Sequence, residues 1–285
     1  MANPREKVAE NVIGDFFVDQ TCIDCDTCRQ LAPGIFGQGP EHSFVSCQPE
    51  SPAEKRSALH ALVCCPTGSI GSEGSDDPKS VLGEFPLPIE GAVYYCGFNS
   101  PKSFGGNSYF IRHPKGNWLI DAPKYLPQLV RRIEGWGGLS HVFLTHRDDV
   151  ADAARYAERF DADRIIHREE LASQPDAEVV LEGNEPVELA PGFLVIPTPG
   201  HTAGHCVLLF QNRFLFTGDH LQWSRDAQRL DAHRDYCWHS WPQQVESLRR
   251  LANYRFEWIL PGHGQRIHLP ADEMQRQMQQ LLARL

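Results

Sequence analysis

Cys22-Ile23-Asp24-Cys25-Asp26-Thr27-Cys28 places three thiols on one short loop, and a fourth stands far downstream in Cys65-Pro66. A C-x2-C-x2-C run with a remote Cys-Pro is the ligand spacing of an iron–sulfur cluster held by four thiolates. Three ligands on the loop wrap one side of a cubane and Cys65 closes the other. Any fold of this chain therefore has to bring residue 65 back to residues 22–28. Structural zinc sites usually pair two C-x2-C knuckles or add histidines. Here three cysteines share one loop, and the nearest later histidines, His42 and His60, lack knuckle spacing.

The remaining cysteines agree with a reducing, metal-handling chain. There are nine in all, an odd number, and Met1-Ala2-Asn3-Pro4-Arg5-Glu6-Lys7 contains no apolar stretch of signal-peptide type. This predicts metal chemistry rather than disulfides, and a cytoplasmic location or an organelle stroma. At 285 residues, with 41% apolar side chains, the chain can build a sizeable core and hold two domains. No run approaches the ~20 apolar residues of a membrane span. Residues 1–87 hold 13 Asp/Glu against 6 Lys/Arg, a balance of −7 within a total of −10. Such a surface disfavours nucleic acid and membranes and suits docking to a basic redox partner protein or reductase; solubility alone is the plainer reading.

Local patterns divide the chain into residues 11–72, a polar Gly/Ser/Pro-rich linker at 73–87, and residues 88–285. In the first part Phe16-Phe17-Val18 and Ser43-Phe44-Val45 read as short strands. Ser51-Pro52-Ala53-Glu54 opens a helix with an N-cap serine, a proline at the first position and a capping-box glutamate. The helix ends at Cys65-Pro66, which proline cannot continue. Cys-Ile-x-Cys-x-x-Cys, the following Ala32-Pro33-x-x-Phe36 and the closing Cys65-Pro66-Thr67-x-x-Ile70 resemble the single-cluster bacterial-type ferredoxins. The resemblance implies a small α+β domain with one [4Fe–4S] cluster on Cys22, Cys25, Cys28 and Cys65. Cys64 is the rival for the fourth place, which the Cys-Pro rule gives to Cys65. Cys47, Cys96, Cys206 and Cys237 read as buried apolar residues.

In the second part strand and helix patterns alternate, with strands at 107–112, 117–121, 141–145, 164–166, 193–196, 206–210, 213–216 and 258–260 and helices at 127–136, 149–160, 240–251 and the C-terminus. Residues that bear chemistry sit at strand ends: His146, His201 and His205, Asp219 and His220, and His263. Imidazole and carboxylate suit zinc or iron. A lone histidine is more often packed or on the surface, but glycine-flanked histidines and an aspartate beside successive strands point to one shared site.

Asn107-Ser-Tyr, Leu119-Ile-Asp121, Thr145-His146, Thr198-Pro-Gly-His201-Thr-x-Gly-His205, Thr217-Gly-Asp219 and Pro261-Gly-His263 resemble the metallo-β-lactamase superfamily, in particular its glyoxalase II and persulfide dioxygenase relatives. The resemblance implies an αββα sandwich with metal at one sheet edge, so the whole chain is expected to be α/β. The family motif Thr-His-x-His-x-Asp-His reads here Thr145-His146-Arg147-Asp148-Asp149-Val150-Ala151. Val150 and Ala151 can neither ligate nor accept a proton, which argues against a standard two-metal hydrolytic centre. His146, His201 and Asp219 remain as a 2-His-1-carboxylate set, the pattern of mononuclear iron oxygenases. Asp148 is a fourth ligand or a proton acceptor, His263 a ligand or hydrogen-bonding group, and Asp121 a structural aspartate.

Three functions follow as expectations. The first is a redox metalloenzyme in which the cluster relays electrons to one iron acting on a small-molecule substrate. The second is a zinc-dependent thioester or lactone hydrolase with Asp148 as general base. The third is an electron-transfer or regulatory protein with a degenerate site.

Overall fold

The computed structural model describes residues 2–285. The chain forms two compact units, one from residues up to Asn117 together with Pro123–Gly138, the other from Trp118–Ala122 together with Leu139–Leu285.

In the first unit Phe16–Val18 pairs antiparallel with Ile70–Ser72, Val18 opposite Ile70. This pairing carries the residues after Cys65 back beside the strand that leads into Cys22. Helix Pro52–Cys64 starts as its sequence predicts: the Glu54 N–H donates to Ser51 Oγ (3.2 Å) and the Ser51 N–H to the Glu54 carboxylate (2.8 Å). It ends as Cys65 turns extended ahead of Pro66. Phe16, Val18, Ile35, Phe36, Val45, Leu59 and Ile70 form the core. Residues 73–87, read above as a linker, contain the 3-10 helix Pro78–Glu84. Val81 and Phe85 are buried, and Glu84 accepts from Arg56 (2.9 Å) and pairs with His60 (2.6 Å). The two apolar side chains, set among Gly, Ser and Pro, are what fasten the segment down. Strands Leu87–Glu90, Val93–Tyr95 and Tyr109–Ile111 follow as an antiparallel meander.

The second unit is a sandwich. Trp118–Ile120, His141–Phe143, Asp163–His167 and Val179–Leu181 run parallel in one sheet. Val187–Ala190, Phe193–Pro197, Cys206–Phe210, Phe214–Gly218, Trp258–Pro261 and Ile267–His268 form the other. The Trp118 ring stacks on Phe193 across the interior at 4.3 Å. Helix Ala153–Phe160 covers the first sheet, and helices Trp241–Leu251 and Ala271–Leu282 cover the second through Leu248, Leu251, Met274, Met278 and Leu281. This is the αββα architecture.

One boundary differs with consequence. The helix expected over 149–160 begins only at Ala153, because Ala151 takes a left-handed φ of 34°, and Arg147–Asp149 forms a separate 3-10 turn. Among the described residues no helix is long and apolar enough to cross a membrane.

Candidate metal and cluster sites

In the first unit Cys22, Cys25, Cys28 and Cys65 line one cavity together with Val18, Ile23, Thr27 and Ile70. Cys64 is turned elsewhere, fully buried, with its Sγ accepting the Phe98 N–H at 3.3 Å. Three of the cavity's sulfurs are already met by polar groups: the Asp24 N–H on Cys22 (3.4 Å), Thr27 Oγ1 beside Cys25 (3.3 Å), and the Ser69 N–H on Cys65 (3.3 Å). Burial pushes the Cys25 thiol up to about 11 and Cys28 higher still. Four converging thiols, three of which (Cys22, Cys25 and Cys28) burial disfavours as free thiolates, fit a cation-rich cluster, which binds them deprotonated.

The loop owes its shape to Arg29. Asp24 and Asp26, the spacers between ligands, both adopt left-handed φ (54° and 66°). Arg29, 5% exposed, donates its Nη1 to Asp24 and to Ser43, and its Nε to Asp26 at 2.7 Å. Arg29→Met removes the one cation that both partly buried carboxylates share. The expected cost is about 2 kcal/mol, below that of a fully buried pair because both aspartates reach water. The midpoint of cluster bleaching in urea measures it, and an unchanged midpoint would exclude the clamp. On the opposite side Gly105, at φ 88°, lies against Cys25; a Cβ there would meet the Cys25 side chain at 2.8 Å.

In the second unit the strand ends deliver their histidines and aspartates to one edge. His141–Phe143 runs out to His146, Phe193–Pro197 to His201, Phe214–Gly218 to Asp219 and Trp258–Pro261 to His263. Gly218 opposite Pro261 sets the last two side by side. His146 Nε2 lies 3.8 Å from Asp148 Oδ2 and 3.6 Å from Asp219 Oδ2; His201 Nε2 lies 3.5 and 3.7 Å from the same two oxygens. Separations of this size are those of donor atoms around one ion, and His146, Asp148 and His201 offer atoms all within 4.8 Å of one another. His146 Nε2, both His201 nitrogens and Asp148 Oδ2 are buried without hydrogen-bond partners. Buried polar atoms are almost always satisfied, so converging orphans fit a metal ion.

Asp121 and Thr145 hold the first of these side chains, His146. The Asp121 carboxylate accepts from the Thr145 N–H (2.9 Å) and hydroxyl (3.0 Å), and Thr145 Oγ1 stands 2.9 Å from His146 Nδ1. An imidazole that donates its Nδ1–H to that oxygen presents a bare Nε2. His263 Nδ1 is 2.8 and 3.0 Å from the two Asp219 oxygens, where it orients the carboxylate. His205 packs near His146 and His201, and it and His220 are fully buried, with rings 5.2 Å apart; burial holds His220 down at about 3, so it stays neutral.

Asp149 is the residue the sequence reading passed over. Both its oxygens are buried and unpartnered, and with His146 and Asp219 it forms a second donor group overlapping that of His146, Asp148 and His201. Burial, reinforced by Asp219, raises its carboxyl to about 6. The signal was the Asp148-Asp149 pair itself, which sits on the 3-10 turn Arg147–Asp149. Gly262 leaves room for it, since a Cβ there would stand 2.4 Å from Asp149 and 2.9 Å from Asp219. Gly262→Ala is expected to weaken metal binding about 10- to 100-fold with the fold retained. Equal affinities in a chelator competition would contradict this.

Two cysteines differ from expectation. Cys47 is exposed, because it lies in the loop beyond strand Ser43–Val45, and Cys237 is only half-buried; Cys96 and Cys206 are buried as expected.

The family model described as "4Fe-4S single cluster domain of Ferredoxin I" matches residues 18–72, and that of the metallo-beta-lactamase superfamily matches residues 102–263. Among solved structures the chain is similar to the DIM-1 metallo-beta-lactamase exposed to ceftazidime (19% identity, 69% of this chain and 95% of that one, TM-score 0.52). It is similar also to VMB-1 (17%, 68% and 95%, 0.51) and to the BLEG-1 B3 metallo-beta-lactamase (16%, 62% and 93%, 0.50). These likenesses show the fold.

Proposed function

The chain belongs to the metallo-β-lactamase superfamily and carries a single-cluster 4Fe–4S domain ahead of it, and from that premise we propose that it is a redox metalloenzyme. In this reading His146, His201 and Asp219 hold one redox-active iron, and Cys22, Cys25, Cys28 and Cys65 hold a [4Fe–4S] cluster that exchanges single electrons with it and with a partner reductase. The observation that carries the reading is the donor set. It offers two imidazoles and carboxylates with no thiolate, the combination that suits non-haem iron with open positions.

Such an ion, once bound, supplies Lewis acidity and one-electron chemistry. The protein's own groups do the rest. Asp148, 43% exposed where its partners are buried, is the donor a small substrate meets first. The His201 imidazole 3.5 Å away holds its carboxyl below the usual range, so it is ionised at neutral pH and can accept a proton. Burial of His205 and His220 keeps water from the rear of the site.

Metal and sulfide analysis after anaerobic purification tests the proposal. Iron beyond the cluster's complement, with dioxygen consumption that depends on that iron and on the reduced cluster, is the expected result. Zinc in its place, with thioester turnover indifferent to the cluster, would replace this reading by the hydrolase. Asp149 favours a second reading in which two ions share the site; a ratio of two ions per chain that falls to one in Asp149→Asn would establish it.

Burial alone would lower His146, but Asp219, Asp149 and Asp121 outweigh it and hold the imidazole up at about 9. In the metal-free protein at pH 7 it therefore carries a proton that an incoming ion must displace. Affinity for zinc as a probe is expected to rise about tenfold per pH unit towards pH 9 and then level off. Chelator competition at three pH values measures the slope, and a flat profile would remove His146 from the ligand set.

A further inference from the structure

Large apolar side chains exposed on the second unit are Val187, Tyr236, Trp238 and Leu285. The two aromatic ones share a single segment, and that segment is fastened to the loop of His201. Cys237 Sγ and the Ser240 N–H donate to Gly200 O (3.1 and 2.9 Å), and the N–H groups of Trp238 and His239 both donate to His201 O (2.9 and 3.0 Å). Trp238 is thus 58% exposed but fixed in place. Its ring centre lies 6.1 Å from that of His201, Tyr236 meets it edge-on at 6.3 Å, and His233 meets Tyr236 at 5.7 Å. A row of rings runs outward from a metal-binding histidine.

We infer that Trp238 and Tyr236 are the wall of a substrate subsite, and that the substrate carries a planar apolar group beside the atom presented to the ion. The inference rests on the metal site proposed above. An indole left in water beside such a site gains by being covered, and because its backbone is already pinned a ligand bears little of the ordering cost. Indole also attracts cations, but Arg147 stands 3.8 Å from Asp148, which is itself 3.5 Å from His201 Nε2, and its charge opposes a cationic group there.

The test compares acetohydroxamate with benzohydroxamate, which share a metal-chelating head and differ by a ring. Both are titrated calorimetrically into the full cluster-bearing chain loaded with one equivalent of zinc. Benzohydroxamate is expected to bind about tenfold tighter, the scale of one good aromatic contact with its buried area. Trp238→Ala should abolish the preference while acetohydroxamate affinity and zinc content hold, and Trp238→Phe should keep most of it. Equal affinities in the native chain, or a preference that survives Trp238→Ala, overturns the subsite and leaves the metal site standing. Failure of acetohydroxamate itself to bind overturns the metal site, and the subsite with it.

Discussion

Asp219→Ala is expected to yield a protein that keeps its iron–sulfur cluster, contains no other metal, and turns over at least about a thousandfold more slowly. Asp219 Oδ2 is within 3.7 Å of the His146 and His201 imidazoles, so its loss opens the proposed donor set at the corner that joins its two halves. A bound ion contributes several kcal/mol of charge stabilisation, and each 1.36 kcal/mol is about tenfold in rate. The fold should tolerate the change. Burial opposes the charge on Asp219, and His263 and His146 offset it, holding the carboxyl well below the ordinary range; the buried Asp149 beside it is relieved of a like charge when Asp219 is removed. Elemental analysis decides the matter, because unchanged metal content would mean that Asp219 is not a ligand.

Cys25→Ala is expected to lose about four irons per chain and the visible absorbance of the cluster, while the ion at Asp219 stays. Metal ligation in a small domain is folding free energy, and this one crosses from the 22–28 loop to residue 65. Small cores are marginal without such a staple, so residues around 18–72 should become open to proteolysis in the variant. A cluster spectrum that survives would refute the four-thiol assignment.

Much of this is legible in the chain because it is local. The capping box at Ser51 and Glu54 lies within one turn, and an apolar run such as Cys206–Phe210, bounded by turn residues, marks a strand wherever it occurs. His146, His201, Asp219 and His263 each follow such a run, and that order along the chain is enough to set them at strand ends. Less legible are strands such as Leu87–Glu90, Val93–Tyr95 and Val187–Ala190, whose short, partly polar segments acquire their form from neighbours in the sheet. The burial within segment 73–87 is illegible for a related reason: Val81 and Phe85 are too few to show a period.

The cluster spacing, the αββα family and the imidazole–carboxylate character of the second site can be read along the chain, since these depend on covalent spacing, side-chain chemistry and short-range periodicity. Folding is what brings Asp149 to that site, Arg29 onto the cysteine loop and Trp238 beside His201. Each of those depends on a left-handed residue, a 3-10 turn or a long-range hydrogen bond. Such features leave no periodic trace along the chain, because the groups they join are separated in sequence and meet only once strand register is set.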